Sequence, residues 1–328
     1  MSVAEIEARE IQLEAPTGGL WADAWARLRR NPGALAGFFL VGSFVVIAIF
    51  ASVMAPYSPT HVDLNALSAN GLPTGPSWQH WVGVDQLGRD EFSRILYGAR
   101  YSLVIGLVAV SSGLSLGLLF GSVAGYVGGF VDSLIMRFMD VMLAIPGLLL
   151  AIGLVAALGQ GLWQIMVAVG ITNVPIFARL LRGSVLAQRE QDFVLAARAV
   201  GARRRGILFS HILPNAMSPV IVQGTLAMAT AIIDVAGLGF LGLGPQDPGT
   251  PEWGTMLTQA DQYLESGALY LAVSPGIAIV LAVLGFNMIG DGLREALDPK
   301  LRGRVGKFKE AKAEPPDGRL VPEVGESV

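Results

Sequence analysis

The residues in this chain that could do chemistry are few and scattered. His61, His80 and His211 are its three histidines. No HExxH or GxSxG pattern surrounds them, so neither a zinc-dependent hydrolase nor a nucleophile elbow is written here. His211 stands beside "ILP" with basic neighbours, the setting of a surface residue. Cysteine is absent, which excludes disulfides, iron–sulfur clusters and thiol nucleophiles. A phosphate loop needs GxxxxGK[ST], but Gly306-Lys307 lacks the glycine lead and is followed by Phe308. "GLGFLG", Gly237 to Gly242, fits the dinucleotide pattern GxGxxG, with Asp261 about twenty residues on. Yet a hydrophobic run precedes it and Pro245 follows. It reads as a helix end loosening into a loop. No catalytic residue and no metal site is assigned.

What remains is charge placed inside apolar runs, which in a membrane marks function by default. Arg137 and Asp140 lie one helical turn apart, and Asp234 lies in a later run. Arg137 and Asp140 are expected either to pair with each other or to snorkel to the interface. Asp140 and Asp234 are candidates for a pathway or gate, with structural bonding as the alternative for each. Gly113, Gly117, Gly121 and Gly125 form three GxxxG steps on one helix face. Such a stripe lets backbones approach closely in lipid. It serves either packing within the chain or association with a second copy, and in both cases this helix belongs inside a bundle.

The elements that carry these residues follow from composition. Of 328 residues, 52% are hydrophobic and only 15% charged. Mean hydropathy is +0.55, against about 25% charged in soluble domains. Residues 34–54 are uncharged and about one bilayer long, and too long for the core of a signal peptide. A second uncharged run extends from Tyr101 to Val131. Residues 141–178 are uncharged for 38 positions, too long for one span. "LGQG" at 158–161 divides that region into spans near 134–158 and 162–181. Further runs cover about 216–241 and 268–290. The expected fold is an all-α polytopic membrane protein with six transmembrane helices.

Orientation follows the basic residues. Arg27, Arg29 and Arg30 precede the first span. Arg182, Arg189, Arg198 and Arg203–Arg205 lie between the fourth and fifth, and Arg294, Lys300, Arg302 and Arg304 follow the sixth. No lysine precedes Lys300. The loop at 242–267 has neither Lys or Arg but carries Asp247, Glu252, Asp261 and Glu265. Both termini are therefore expected in the cytoplasm of a plasma (inner) membrane protein. Trp78 and Trp81 of the external loop suit an interfacial position. The tail after about 303 mixes charge with Pro and Gly and reads as disordered.

One polar stretch sits between the greasy runs: "LAARAVGARRRGILFSHILPN", residues 195–215. Ala196, Ala197, Ala199, Gly201 and Ala202 make a helix of thin surface, suited to a groove on a partner. Gly201 permits a turn, and Arg203–Arg205 suit acidic groups or lipid headgroups. Pro214 is expected near a helix start, where its missing N–H costs nothing. The stretch resembles the EAA loop of ABC importer permeases, roughly EAA, three residues, G, nine residues, I-x-LP. Ala196, Ala197, Gly201, Leu213 and Pro214 fall on that pattern, whereas Leu195 replaces the glutamate and His211 the isoleucine. "HWVGVDQLGRDEFSRILYGARYSL" at 80–103, "GYVGGFVDSLIMRFMDVMLAIPGLLLAI" at 125–152, "GLGFLGLGPQDPGTPEWGTML" at 237–257 and "GDGLREALDPKLRG" at 290–303 extend the likeness. Together they resemble the C-type permease of dipeptide and oligopeptide importers, a branch that includes nickel and glutathione importers.

The resemblance implies a type I ABC importer permease fold and a mechanism. A second, related permease would complete the pathway, two ATPase subunits would bind ATP and Mg, and an extracytoplasmic binding protein would deliver the peptide. A cytoplasmic coupling helix at 191–206 would dock in an ATPase through Leu195, Ala196, Ala197, Arg198, Gly201, Ala202, Arg203, Arg204 and Pro214. The implied organisation is a cytoplasmic segment 1–33, a first span 34–54, an external loop 55–100, a five-helix core 101–293 and a cytoplasmic tail 294–328. No cofactor is expected on this chain, no nucleic-acid partner, and membrane lipid all around. An ion-driven secondary transporter is the alternative from another class, although no clear internal repeat is visible. An intramembrane enzyme lacks its catalytic residues.

Overall fold

A computed structural model describes residues 20–297, in which every regular element is helical and two isolated β-bridges pin the loop before Asp90. In chain order the helices are α1 (Leu20–Leu28), α2 (Pro32–Met54), α3 (Glu91–Val127), α4 (Gly129–Ala144), α5 (Gly147–Leu158), α6 (Leu162–Arg189), α7 (Asp192–Ala199), α8 (Arg204–Leu243), α9 (Trp253–Asp261) and α10 (Tyr270–Leu297). Helices α2, α3, α6, α8 and α10 are each long and apolar enough to cross a bilayer. Helices α4 and α5 make a sixth crossing if the bent pair is one span. Most residues of the tail expected to be disordered, 298–328, lie outside the described residues. Residues 294–297 are the last turn of α10.

Local sequence explains the ends. Asn31 caps α2 by accepting the Ala34 N–H at 3.0 Å, and Pro32 occupies the first turn, where it gives up no intrahelical bond. The Asn31 amide also donates to Glu295 at 2.6 Å, which ties the start of α2 to the end of α10. Helix α3 begins ten residues earlier than the apolar run suggests, at Glu91, because Asp90 accepts the Ser93 N–H at 2.7 Å and caps it there. Charged residues on this first turn are buried by neighbouring loops, so hydropathy alone misplaces the boundary.

The expected single span at 134–158 is instead two helices, with a bend of 93°. The cause is Pro146. It supplies no N–H to the helix and forces Ile145 before it into extended backbone at φ −94°, ψ 128°. The turn between α5 and α6 falls at "LGQG", where Gly159 and Gly161 hold φ of 94° and 148°, values that side chains resist.

Helix α8 spans 40 residues through two π-helical segments, with Gly242 at φ 76° departing from helical backbone near its end, and Pro214 stands in the first turn of its α-helical part, Leu213–Leu238, as expected. Its missing N–H falls just after a π-helical segment, Ile207–Ile212, in which the Leu213 N–H reaches back to the Leu208 carbonyl. The Asn215 side chain donates to the His211 carbonyl at 2.7 Å. The wider turn accommodates the proline within the helix.

The glycine stripe of α3 lies along α6. A Cβ placed on Gly113 would stand 2.5 Å from the Gly170 carbonyl oxygen, and one on Gly121 would stand 2.5 Å from that of Ala178. Gly117 meets Val174 and Phe177, and Gly125 meets Val185. Ile105, Ala109, Val169, Phe177, Leu181 and Val185 form the core along this seam, which continues to Ile207 and Val220 of α8. A second close approach, which the sequence reading missed, joins Gly37 of α2 to Gly285 of α10. The outer faces of α2 and α10 leave residues such as Phe39, Val53, Val273 and Val280 exposed, a surface matched to lipid.

Candidate functional site

The segment between α6 and α8 is a short helix followed by a tight turn. Helix α7 spans Asp192–Ala199, so the expected coupling helix at 191–206 is shorter than its sequence pattern. Residues 204–206 already belong to α8. Its end is a Schellman turn: the Ala202 N–H bonds the Ala197 carbonyl and the Gly201 N–H bonds that of Arg198, both at 3.0 Å. Gly201 takes φ 79° there and faces open space. Val194 is fully buried against the core with Ile207 and Ile212, and Ala197 packs partly on it. Leu195, Ala196, Arg198, Val200, Ala202, Arg203 and Arg204 are exposed. The helix is therefore moored by one residue and presents its small and basic face outward. Arg189, Arg198 and Arg204 converge with Tyr126 around a cavity of 470 Å³ at its base. The Tyr126 hydroxyl donates to the Arg204 carbonyl at 2.7 Å.

The charges in the spans pair differently from the expectation. Asp140 is not held by Arg137; it accepts from Arg179 of α6 at 2.6 Å. An i, i+3 pair on one helix lost to a partner facing it across the interface. One turn lower, Arg182 grips Asp132 through two bonds of 2.6 and 2.5 Å. The two pairs differ in exposure. The Arg182 and Asp132 side chains are 32% and 15% exposed, those of Arg179 and Asp140 are 55% and 60%. At 1.5 Å per residue, Asp140 lies about 16 Å along α4 from Gly129, and Arg179 lies about 15 Å from the Arg189 end of α6. Both therefore lie several turns inside their helices, on a surface more than half exposed. Beside Arg179, Ile176, Gly183, Ser184 and Gln223 line a cavity of 660 Å³. Arg179, Arg182 and Asp132 were missed as a set. Their signal is that basic residues near the end of α6 face acidic ones on α4, two helices earlier in the chain. Asp234 is half-buried in α8 and has no ion-pair partner among the described residues. It does not join Asp140.

The opposite end is closed by buried charge. Asp85 accepts from Arg89 at 2.7 Å and lies 3.4 Å from Arg94, whose guanidinium also donates to Gln259 at 3.1 Å. His80 lies 2.9 Å from Asp90, and Arg89 donates to the Pro248 carbonyl. Glu252 caps α9, accepting the Gly254 and Thr255 N–H groups at 2.8 Å each. Burial pushes its carboxyl above the usual carboxylate range, against the pull of those N–H groups and of Ser102. Trp253 is fully buried beside Gly98 and donates to the Ile95 carbonyl at 3.1 Å. The stretch at 80–103 thus folds the loop between α2 and α3 onto α3 and α9, while Trp78 and Trp81 remain exposed.

Long apolar helices, exposed ion pairs on them and a moored, outward-facing short helix define an all-helical, multi-pass membrane protein. Residues 117–303 match the family model described as binding-protein-dependent transport system inner membrane component. Residues 19–73 match the N-terminal transmembrane domain of oligopeptide transport permease C. The chain is 49% identical over 282 residues to the dipeptide transport system permease protein DppC of Alkalihalophilus pseudofirmus, covering 86% of this chain and 90% of that one. It is 50% identical over 283 residues to the glutathione transport system permease protein GsiD of Shigella flexneri, covering 86% and 91%. A solved structure of the MetNI methionine ABC transporter superposes with a TM-score of 0.51 at 19% identity, over 62% of this chain and 96% of that one; it shows the fold. The chain belongs to the binding-protein-dependent transport system inner membrane component family, the permease subunits of ABC importers.

Proposed function

We propose that this chain is one of two related permeases in an importer that moves peptides across the inner membrane, driven by two separate ATPase subunits. Its near identity in length with a relative named for dipeptide transport, at 49% identity, is the observation that carries the substrate class. Glutathione, through a relative at 50% identity, is the second reading, and it uses the same machinery. ATP and Mg bind the ATPases; this chain carries no cofactor. An extracytoplasmic binding protein hands substrate to the end closed by the buried charges. The basic residues at 27–30, 182–205 and beyond Arg294 support a cytoplasmic position for both termini and α7.

Helix α7 then docks in an ATPase by its exposed face, and Leu195, Ala196, Ala197, Arg198, Gly201, Ala202, Arg203 and Arg204 make that contact. Pro214 and the π turn before it set the angle at which α8 leaves. When the ATPases close on ATP, α7 moves with them and carries α8. Asp140 belongs to the pathway, and Asp234 is a separate gate candidate. The wet, half-open pair at Asp140 supports a polar route between α4, α6 and α8.

The test is the assembled importer in liposomes. Peptide uptake should require ATP and persist without a proton gradient; uptake by this chain alone on a proton gradient would reject the proposal. Ala197→Arg should release the ATPases while leaving the spans inserted. Gly201→Leu should do so too, because φ 79° costs a side chain about 1–2 kcal/mol. Co-purification and normal transport by both variants would move the contact elsewhere.

A further inference from the structure

Two ion pairs join α4 to α6, and they are built differently. Arg182 and Asp132 satisfy each other through two bonds in a half-buried site. Arg179 gives Asp140 a single bond from one terminal nitrogen, although a guanidinium has five N–H donors. Among the described residues no other acceptor takes the rest. The unused edge is more than half exposed and borders the 660 Å³ cavity with Ser184 and Gln223. The cavity is open to small additions, since a Cβ on Gly183 would meet nothing within 4 Å. Asp140 likewise gives one carboxylate oxygen to Arg179 and keeps the other.

A charged pair carried on apolar spans is costly unless water or a ligand reaches it. The lower pair already ties the two helices together, so a second, looser tie adds little to packing. What it offers is a cation with a free planar edge beside an anion with a free oxygen. That arrangement is complementary to a small zwitterion. We propose that the cavity between α4, α6 and α8 is a transient site for the permeating solute, in which Arg179 on the lining receives a free carboxylate and Asp140, bonded to Arg179 just beside the lining, an ammonium group. Gln223 offers an amide for the peptide bond between them. The assignment rests on the peptide-importer reading above and narrows it. Both dipeptides and glutathione carry the two charged groups, and a bare metal cation does not. A substrate spanning the site exchanges one internal ion pair for two substrate ones, so binding leaves neither charge without a partner.

The chain has no cysteine, so a single Gly183→Cys variant reports on this cavity alone. In the fully assembled importer, that thiol should react readily with a water-soluble maleimide. Dialanine at a few times its dissociation constant should slow labelling of this chain by about fivefold, by simple mass action. Dialanine amide and N-acetyl-dialanine should protect poorly. Arg179→Gln in the same background should abolish protection, because a bidentate charged contact is lost, while Arg182→Gln should leave it in place. Failure of the thiol to react, equal protection by the amide, or full protection in the Arg179→Gln protein would each overturn the site. If the Arg179→Gln protein does not assemble, Gln223→Ala decides: weakened protection upholds the site and unchanged protection sinks it. ATP-driven dialanine uptake by the unmodified assembly is measured alongside. Protection without uptake refutes the importer reading and spares the site, and uptake without protection does the reverse.

Discussion

Substituting Gly121 by alanine puts the α3–α6 seam to a direct test. The added Cβ would stand 2.5 Å from the Ala178 carbonyl oxygen, 3.0 Å from Leu181 Cβ and 3.1 Å from Ala178 Cα. Ordinary contact begins near 3.4 Å, so the nearest approach falls short by about 0.9 Å. The obstacle is helix backbone and cannot swing aside, so α3 and α6 must separate along the core of the molecule. Overpacking of this kind costs about 1–3 kcal/mol. Alanine also favours the helix over glycine by about 1 kcal/mol, and a control removes that gain from the comparison. Gly42→Ala in α2 has the same propensity gain and meets nothing within 4 Å. The difference in melting temperature between the two variants, measured on detergent-purified protein, should therefore be roughly 2–10 °C, with Gly121→Ala the lower. Equal melting temperatures would refute the argument that close backbone approach sets this interface.

Arg182→Gln should destabilise the protein by about 1–2 kcal/mol, discounted for partial exposure, and by more than Arg179→Gln, whose pair is open to water; the reverse order of melting temperatures would contradict the roles given to the two pairs. Because burial raises the Glu252 carboxyl, the folded state holds its proton more tightly than the unfolded chain does. Its contribution should therefore weaken as pH rises from the ordinary carboxylate range through the raised value. Glu252→Gln keeps an acceptor for the α9 cap and should flatten the pH dependence of thermal stability; a slope unchanged from the parent protein would show that Glu252 does not titrate there.

Much of the architecture was legible from uninterrupted apolar length. The first span was placed within two residues of α2, and "LGQG" marked a turn because two positive-φ positions need glycine. What escaped depends on partners that are remote in sequence. Hydropathy put the start of α3 at Tyr101, since Glu91 and Arg94 look like loop residues until the loop at 80–90, the loop before α9 and α9 itself bury them. Pro146 was in plain sight, but an apolar run conceals a bend. Asp140 was noticed for its depth, yet its partner was sought one turn away, because local spacing is visible in a string and cross-helix register is not. At α7 the small-residue pattern was clear, whereas its actual end is set by the Gly201 turn.

The ring of interlocked charges around Asp85, Arg89 and Arg94 carries a consequence for recognition on that side of the membrane. Loop, long helix and short helix are bolted together there, so a delivering protein that docks on that face, as proposed, would land on a contour that is already cast. Little disorder has to be surrendered on arrival. Brief, repeated visits are then possible, with the lifetime of each governed by how well the guest fits rather than by how long the host takes to rearrange.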